Sequence, residues 1–562
     1  MRALVSSPAV EDTSGFDRGG THAFPSNPQP GAGHRWIADR YPRLRNSPVV
    51  PLLLLGSLGL VAVGVAPRVV RAWSRIGGLA RDRAANAEIA WKPHPALLPT
   101  ILVVSACLRV VLVARGGQFY WPDEQYNSRV IVAAIAAHDV GGATAWLAAS
   151  HHDQLFKLIG VVPATVEWLF GEDARILAVF FALVSVLNLW LLAKIAERLG
   201  ASRLESTVAA LLLGAAASFS YYSRHVLAYD TATALALGAL YVGLRPGTQW
   251  RSSAACGALA GCAFLTYQGY WTLGGAACVI HVFEERRWRG AVRRALVAGA
   301  ALAGVLAAMS VASLAAGGAP VQGALRFARN VTQGDYAEGW RLPIEYLWHA
   351  EHGLLVVWLS ALAWSVVSWR PHTASRRIHV AWIGIAMIYG CLAVGSTVLH
   401  VFVVYGRLAR QLVPFLCLLS AAVVVRWLPT AAAPATARAR QWTYASLVLG
   451  AAVLVQAAFN VAPPLVQEFP REFRAHAKAR ASRAGASTWV TQYAEHLYPP
   501  PLPLPIPRGY RVAYAARHPL QFVPYQYEGY TPAERMQLRA TDIRMRLLVP
   551  INRAPEPPSG GR

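Results

Sequence analysis

The stretch ARILAVFFALVSVLNLWLLAKIAERLGASRL, residues 174–204, decides the fold. Residues 174–193 are almost wholly apolar, and ~20 such residues make a helix long enough to cross the ~30 Å hydrocarbon layer of a bilayer. Lys194, Arg198 and Arg203 follow at once, where cytoplasmic ends of spans carry their basic residues. The same unit recurs outward in both directions. Apolar runs lie near 96–114, 206–222, 226–244, 253–269, 271–284, 294–316, 352–369, 379–400, 408–427 and 443–462, with a shorter one at 49–66. The reading is an all-α polytopic membrane protein of about 11–12 transmembrane helices with a small C-terminal extracytoplasmic domain.

Composition agrees. Of 562 residues, 55% are hydrophobic and 15% charged, against about 25% charged in an ordinary soluble domain. Mean hydropathy is +0.34. These values exclude a disordered chain and argue against a wholly soluble enzyme. With 53 Lys and Arg against 29 Asp and Glu, the formal charge is +24. The arginines sit between apolar runs, as membrane topology requires, so the excess does not point to nucleic acid. Cys107, Cys256, Cys262, Cys278, Cys391 and Cys417 fall inside apolar runs without metal-ligand spacing and read as small buried hydrophobes.

The basic residues set the orientation. Lys194, Arg198 and Arg203, then Arg245 and Arg251, then Arg286–Arg294, then Arg370, Arg376 and Arg377, then Arg438 and Arg440 fall on one side. Residues 115–173, 317–351, 400–407 and everything after Pro463 fall on the other, extracytoplasmic side. The segments follow: residues 1–47 as a disordered tail; 48–94 as an extra helix, spanning or re-entrant, with a basic loop; 95–462 as the transmembrane core; 463–562 as the outer domain. In that last part a helix is expected over Ser487–Tyr498 and a strand over Tyr510–Ala515. TyrGlnGlyTyrTrp, 267–271, is expected to turn tightly between two short helices.

The chemistry-bearing residues lie on the outer side. PheTyrTrpProAspGluGlnTyrAsn, 119–127, places Pro122 at a helix start with Asp123 and Glu124 in its first turn, where the dipole favours a carboxylate. An ionised carboxylate there can take a proton from a hydroxyl, or merely cap a surface helix. His151, His152 and Asp153 could hold a divalent ion together with Glu124, or be ordinary loop. Asp230, at the outer end of a span, is either catalytic or a structural partner of Arg224. HisAlaGluHis, 349–352, offers another ligand set, but its adjacent-turn spacing favours a solvated helix start. Arg407 and Arg410 enter a span from outside, where guanidinium forks suit phosphate oxygens and snorkelling is the alternative. Trp and Tyr at span ends form an interface belt, with Trp121, Trp271 and Trp340 as candidate sugar-stacking exceptions.

In order and sidedness these stretches resemble the GT-C superfamily of polyprenyl-phosphate-sugar-dependent glycosyltransferases, in its protein-mannosyltransferase-like and aminoarabinose-transferase-like (glycosyltransferase family 39-like) branch. The resemblance covers roughly residues 95–465. It rests on ProAspGlu at 122–124, GlyGluAspAlaArgIleLeuAlaValPhePheAlaLeu at 171–183 and LysIleAlaGluArgLeuGly at 194–200. It rests further on TyrSerArgHisValLeuAlaTyrAsp at 222–230, GlyCysAlaPheLeuThrTyr at 261–267 and TyrGlyArgLeuAlaArgGlnLeuValProPhe at 405–415. Tyr267 replaces the family's Lys after Leu-Thr, and HisHisAspGlnLeu at 151–155 replaces its His-Pro-Pro-Leu. ProAspGlu is also similar to the His-Pro-Asp-Glu motif of lipid-linked and GPI mannosyltransferases, with Trp121 in place of the His.

The resemblance implies a cell-membrane enzyme, of bacterial plasma-membrane type, with its site outside. It would move a sugar from a polyprenyl-phosphate donor to a glycan, lipid or protein acceptor with inversion. Asp123 would be the base, with Glu124 and Asp230 also catalytic. Arg224, Tyr267, Gln268, Arg407 and Arg410 would bind substrate, and a divalent metal at Glu124, His151, His152 and Asp153 is the one cofactor suggested. The absence of a Gly-rich phosphate loop agrees with a lipid donor. Two other classes fit many spans: a flippase for a lipid-linked glycan, which should show an inverted repeat and mid-span charges, and a non-catalytic scaffold that uses the outer domain.

Overall fold

Leu97–Ala114 (α1) is followed, in this computed structural model, by Gln154–Phe170 (α2) and Ala174–Arg198 (α3). Described are residues 94–114, 154–170, 174–245, 250–285, 287–320, 342–351, 353–367, 376–397, 406–427, 470–483, 490–492, 508–517 and 544–551, with single pieces at 455–456, 458 and 506. The readings made for the tail 1–47, for the run at 49–66 and for the ProAspGlu segment lie outside them, as do those for His151–Asp153, Trp340 and the run at 443–462.

The bundle continues with Arg203–Ala215 (α4), Ala217–Tyr222 (α5), Tyr229–Gly243 (α6), Trp250–Thr266 (α7), Trp271–Phe283 (α8) and Trp288–Ala315 (α9). Leu342–Glu351 (α10), Gly353–Val367 (α11), Arg376–Thr397 (α12) and Val413–Trp427 (α13) complete it, with single 3-10 turns at Gln268–Tyr270 and Gly406–Leu412. Among the described residues five helices are long and apolar enough to cross a membrane: Leu97–Ala114, Arg175–Arg198, Trp288–Ala315, Arg376–Val394 and Leu408–Val425. The chain is a multi-pass, helical membrane protein.

Burial separates the helices into roles. Leu408–Val425 is 94% buried and runs through the centre, packed by α4, α11 and α12, whereas Trp288–Ala315 is only 6% buried and presents Leu296, Val311 and Leu314 outward. An all-round apolar helix exposed in this way needs lipid against it. Cys107 on the outward-facing α1 is exposed, and Cys262, Cys278 and Cys391 are half-buried; of the six thiols only Cys256 and Cys417 are buried as expected. α9 is held by α7 through small residues: an added Cβ at Gly257 would overlap the Ala298 carbonyl, and at Gly261 it would lie 3.3 Å from the Leu302 carbonyl. Gly257 and Gly261 form a Gly-xxx-Gly pair that lets two helix backbones touch, a signal the hydropathy pattern alone does not carry.

Local chemistry sets the helix ends. α3 closes on Gly200 at φ 84°, a left-handed cap, with the Ala201 amide donating to the Ala196 carbonyl at 2.9 Å. Ser202 Oγ then accepts from the Glu205 amide at 3.2 Å and starts α4. The expected single run at 206–222 is two helices, broken at Ala216, whose ψ of 125° is extended. The segments 115–173 and 317–351, assigned to the outer side from sequence, contain α2 and α10.

The basic ends gather on one side. Arg377 Nε lies 2.6 Å from Glu205 Oε1, Arg376 pairs with Glu284, and Arg294 Nη2 lies 3.3 Å from Glu285 Oε2. Arg376 and Arg377 also donate to the Arg198 and Gly200 carbonyls at 3.1 and 2.7 Å, and Arg198 stacks on Tyr241 while donating to its carbonyl. Among the described residues, Arg198, Arg294, Arg376 and Arg377 therefore share one end of the bundle.

In the C-terminal unit, Pro470–Arg483 (α14) packs on an antiparallel sheet of Val490–Gln492 (β1), Tyr510–Arg517 (β2) and Arg544–Pro550 (β3), in the order β1-β3-β2. The strand expected from Tyr510 is present. The helix expected over Ser487–Tyr498 is not: Val490, Thr491 and Gln492 pair with β3 instead, because β-branched residues beside a partner edge gain ladder bonds.

Candidate functional site

At the other end of the bundle the chain brings its buried charges together. α6 opens with Tyr229 and Asp230, which puts the Asp230 carboxylate in the first turn of a helix. Asn188 of α3 donates through Nδ2 to the Asp230 carbonyl at 3.0 Å and ties this turn down. Arg410, from the 3-10 turn before α13, reaches across and donates through Nη2 to Asp230 Oδ1 at 2.5 Å. Both side chains are buried, at 0% and 4% exposure.

Aromatic rings hold the guanidinium in place. Its Cζ lies 4.2 Å from the Phe219 ring centroid, 5.3 Å from Tyr222 and 5.9 Å from Tyr229. Such cation–π contacts favour a charge held away from water. Tyr222, Tyr229, Tyr267 and Tyr270 form an edge-to-face chain, with centroids 5.4, 5.0 and 5.8 Å apart in turn. Among the described residues Arg410 Nε and Nη1 have no hydrogen-bond partner. Among the described residues the guanidinium thus spends one nitrogen on Asp230, and its other two meet no acceptor.

Three residues support this arrangement, two of them, Gln411 and Arg109, not singled out in the sequence and the third, Glu351, given another role there. Glu351 reads in sequence as part of a solvated helix start; it is wholly buried. Its carboxylate accepts from the Ala217 amide at 2.7 Å, the Ser218 amide at 3.0 Å and Ser218 Oγ at 2.5 Å. It thereby satisfies the open N-terminus of α5, the helix that carries Phe219 and Tyr222. This is the physical reason for the break at Ala216. Gln411 accepts from Thr272 Oγ1 at 2.7 Å and the Leu273 amide at 3.2 Å, and donates to the Gly269 carbonyl at 2.9 Å. It locks the turn of Arg410 onto the tight turn before α8. Arg109 of α1 is buried; its Nε donates to Ser185 Oγ at 2.5 Å and its Nη1 to the Ser105 carbonyl at 3.3 Å. The one available signal for Arg109 was a charge inside an apolar run.

Asp230 and Arg410 meet, and their pairing replaces the Arg224–Asp230 pair considered from sequence. Arg224 is buried nearby, with Cζ 4.4 Å from the Tyr221 ring and Nε 3.2 Å from His225 Nε2. Tyr267 closes α7 beside Tyr229, and Gln268 opens the 3-10 turn, so the tight turn at 267–271 forms as expected. Trp271 is exposed at the start of α8. Arg407 lies in the 3-10 turn of Arg410. Asp123, Glu124, His151, His152 and Asp153 lie outside the described residues. Among those described, no three His, Cys, Asp or Glu residues gather as a metal site.

No family model matches the chain, and no curated protein matches it significantly. It is similar to solved structures of ArnT from Cupriavidus metallidurans. The apo form is 16% identical, with 63% of each chain covered and a TM-score of 0.41. The form bound to undecaprenyl phosphate is 15% identical, with 69% of this chain and 73% of that one covered and a TM-score of 0.45. It is also similar to the archaeal oligosaccharyltransferase AglB from Archaeoglobus fulgidus in complex with an inhibitory peptide and a dolichol-phosphate. There the identity is 12%, the coverage 68% of this chain and 58% of that one, and the TM-score 0.44. The chain spans 63% of the length of the apo ArnT structure.

Proposed function

We propose that this chain is a membrane glycosyltransferase that moves a sugar from a polyprenyl-phosphate-linked donor to an extracytoplasmic acceptor with inversion at the anomeric carbon. The observation that carries the reading is Arg410. It is a buried guanidinium at the non-basic end of the bundle, fixed by Asp230 and three rings, with Nε and Nη1 unpaired among the described residues. Burying such a charge is costly, and a plain structural pair would gain as much from apolar replacement. A planar fork with N–H groups to spare suits phosphate oxygens.

In this reading the donor phosphate is held by Arg410, and Arg407, in the same turn, is the second group assigned to it. Asp123 takes the proton from the acceptor hydroxyl, the hydroxyl oxygen attacks the anomeric carbon, and the sugar–phosphate bond breaks with its electron pair going to the phosphate. Fixed positive charge at the leaving phosphate lowers the barrier because it needs no reorganisation as charge develops. Glu351 and Gln411 act through position: one holds α5 and its rings, the other holds the turn that presents Arg410. No step is assigned to a metal.

The test is reconstitution of the full chain with a panel of polyprenyl-phosphate sugars. Release of polyprenyl phosphate with transfer of the sugar is the expected result. Movement of an intact lipid-linked glycan between leaflets without bond cleavage would overturn the reading in favour of a flippase.

A further inference from the structure

The C-terminal unit carries a second, separate concentration of unusual surface. In the stretches that build it, 470–483, 508–517 and 544–550, ten residues are Lys or Arg and one, Glu472, is acidic. On α14, Ala477 and Ala481 are buried one turn apart, while Lys478, Arg480 and Arg483 are exposed. The register of the sheet places Arg517 directly opposite Arg544.

One end of the sheet adds apolar surface to this charge. Gly509, at φ 83°, turns the chain into β2, and its carbonyl accepts from the Ile551 amide at 2.7 Å just past β3. Ile551 just past β3, Val512 in β2 and Ile506 three residues before Gly509 are 51%, 39% and 46% exposed, and Arg508 and Arg511 on either side of Gly509 and Tyr510 are exposed too. Large apolar side chains ringed by arginines are the composition of a surface that enters the headgroup layer of an anionic bilayer. A soluble polyanion would match the arginines but would give the isoleucines no new environment. The tether is short as well. Seven residues separate the last apolar run, ending at 462, from Pro470, a reach of at most ~25 Å.

We infer that the tip formed by Ile506, Arg508, Arg511, Val512 and Ile551 docks on the membrane surface and binds anionic phospholipid headgroups. The arginines meet phosphates while the isoleucines enter the acyl boundary. α14 adds a broader electrostatic attraction. Docking holds the unit against the leaflet that its own bundle crosses. The inference does not depend on the glycosyltransferase reading.

The test uses the full chain in nanodiscs of phosphatidylcholine alone and of phosphatidylcholine with phosphatidylglycerol, followed by hydrogen exchange of the amides in 508–517. Exchange is expected to be roughly tenfold slower in the anionic discs, and the difference to vanish in 1 M salt and in Arg508→Gln/Arg511→Gln. Ile506→Ser/Ile551→Ser should also reduce it, and equal exchange of each variant and the parent in neutral discs verifies that the sheet is intact. Identical exchange of the parent in both discs overturns the inference. So does protection by added polyphosphate in neutral discs that persists in Ile506→Ser/Ile551→Ser, which would make a soluble polyanion the partner.

Discussion

Replacing Asp230 with Asn keeps the size of the side chain and removes its charge. Arg410 is then left buried at 0% exposure beside a neutral amide. Removing one partner of a buried ion pair costs roughly 3–5 kcal/mol, because the other charge stays uncompensated. The rings of Phe219, Tyr222 and Tyr229 face the guanidinium in parent and variant alike, so they do not change this loss. A loss of about 3–5 kcal/mol follows. Arg410→Met should cost a similar amount, since it orphans the carboxylate instead. In the double variant neither charge remains, so the loss should fall short of the sum of the singles by about 2–3 kcal/mol. Reversible unfolding in mixed micelles measures all four proteins. Donor turnover, measured in parallel, should stay lost in the double variant even though stability returns. Additive losses would refute the pairing, and full turnover in the stable double variant would refute its role in the reaction.

Asp123→Asn should fold normally and slow transfer by about 10²–10⁴-fold, read as single-turnover rate with saturating donor. Gly257→Ala should destabilise the bundle by roughly 1–3 kcal/mol in the same unfolding assay, because α7 and α9 must part to seat one methyl group against the Ala298 carbonyl. Glu351→Ala should cost about 1–3 kcal/mol by stripping the Ala217 and Ser218 amides of their acceptor, and Glu351→Gln less, since its amide oxygen can still accept from one of them. A reporter fused after Arg562 should read as extracytoplasmic and one in the 286–294 loop as cytoplasmic; opposite readings would invert the topology.

The apolar lengths and the placement of arginines were enough, by themselves, to determine a multi-pass helical membrane protein. Those two properties are one-dimensional: a span is a length of apolar chain, and orientation is a count of charges beside it. In three dimensions Arg198, Arg294, Arg376 and Arg377 meet their carboxylates and carbonyls at one end of the bundle. Asp230 and Arg410 were legible as candidates because ionisable groups in or near a span are costly to keep.

Their pairing was not legible. Residues 180 positions apart in sequence met only when α6 and the turn before α13 packed together, and Arg224, six residues from Asp230, was the nearer guess. Glu351 was hidden for the same reason. A carboxylate next to an apolar run looks solvated until the broken helix at Ala216 supplies two open amides to receive it. Gln411 and Arg109 likewise gained meaning only from partners on other helices. In the C-terminal unit, alternation favoured the strand from Tyr510 but could not reveal that Val490–Gln492 pairs with β3. Periodicity and charge belong to each segment alone; which buried groups satisfy one another depends on how the segments pack, and that only the tertiary structure decided.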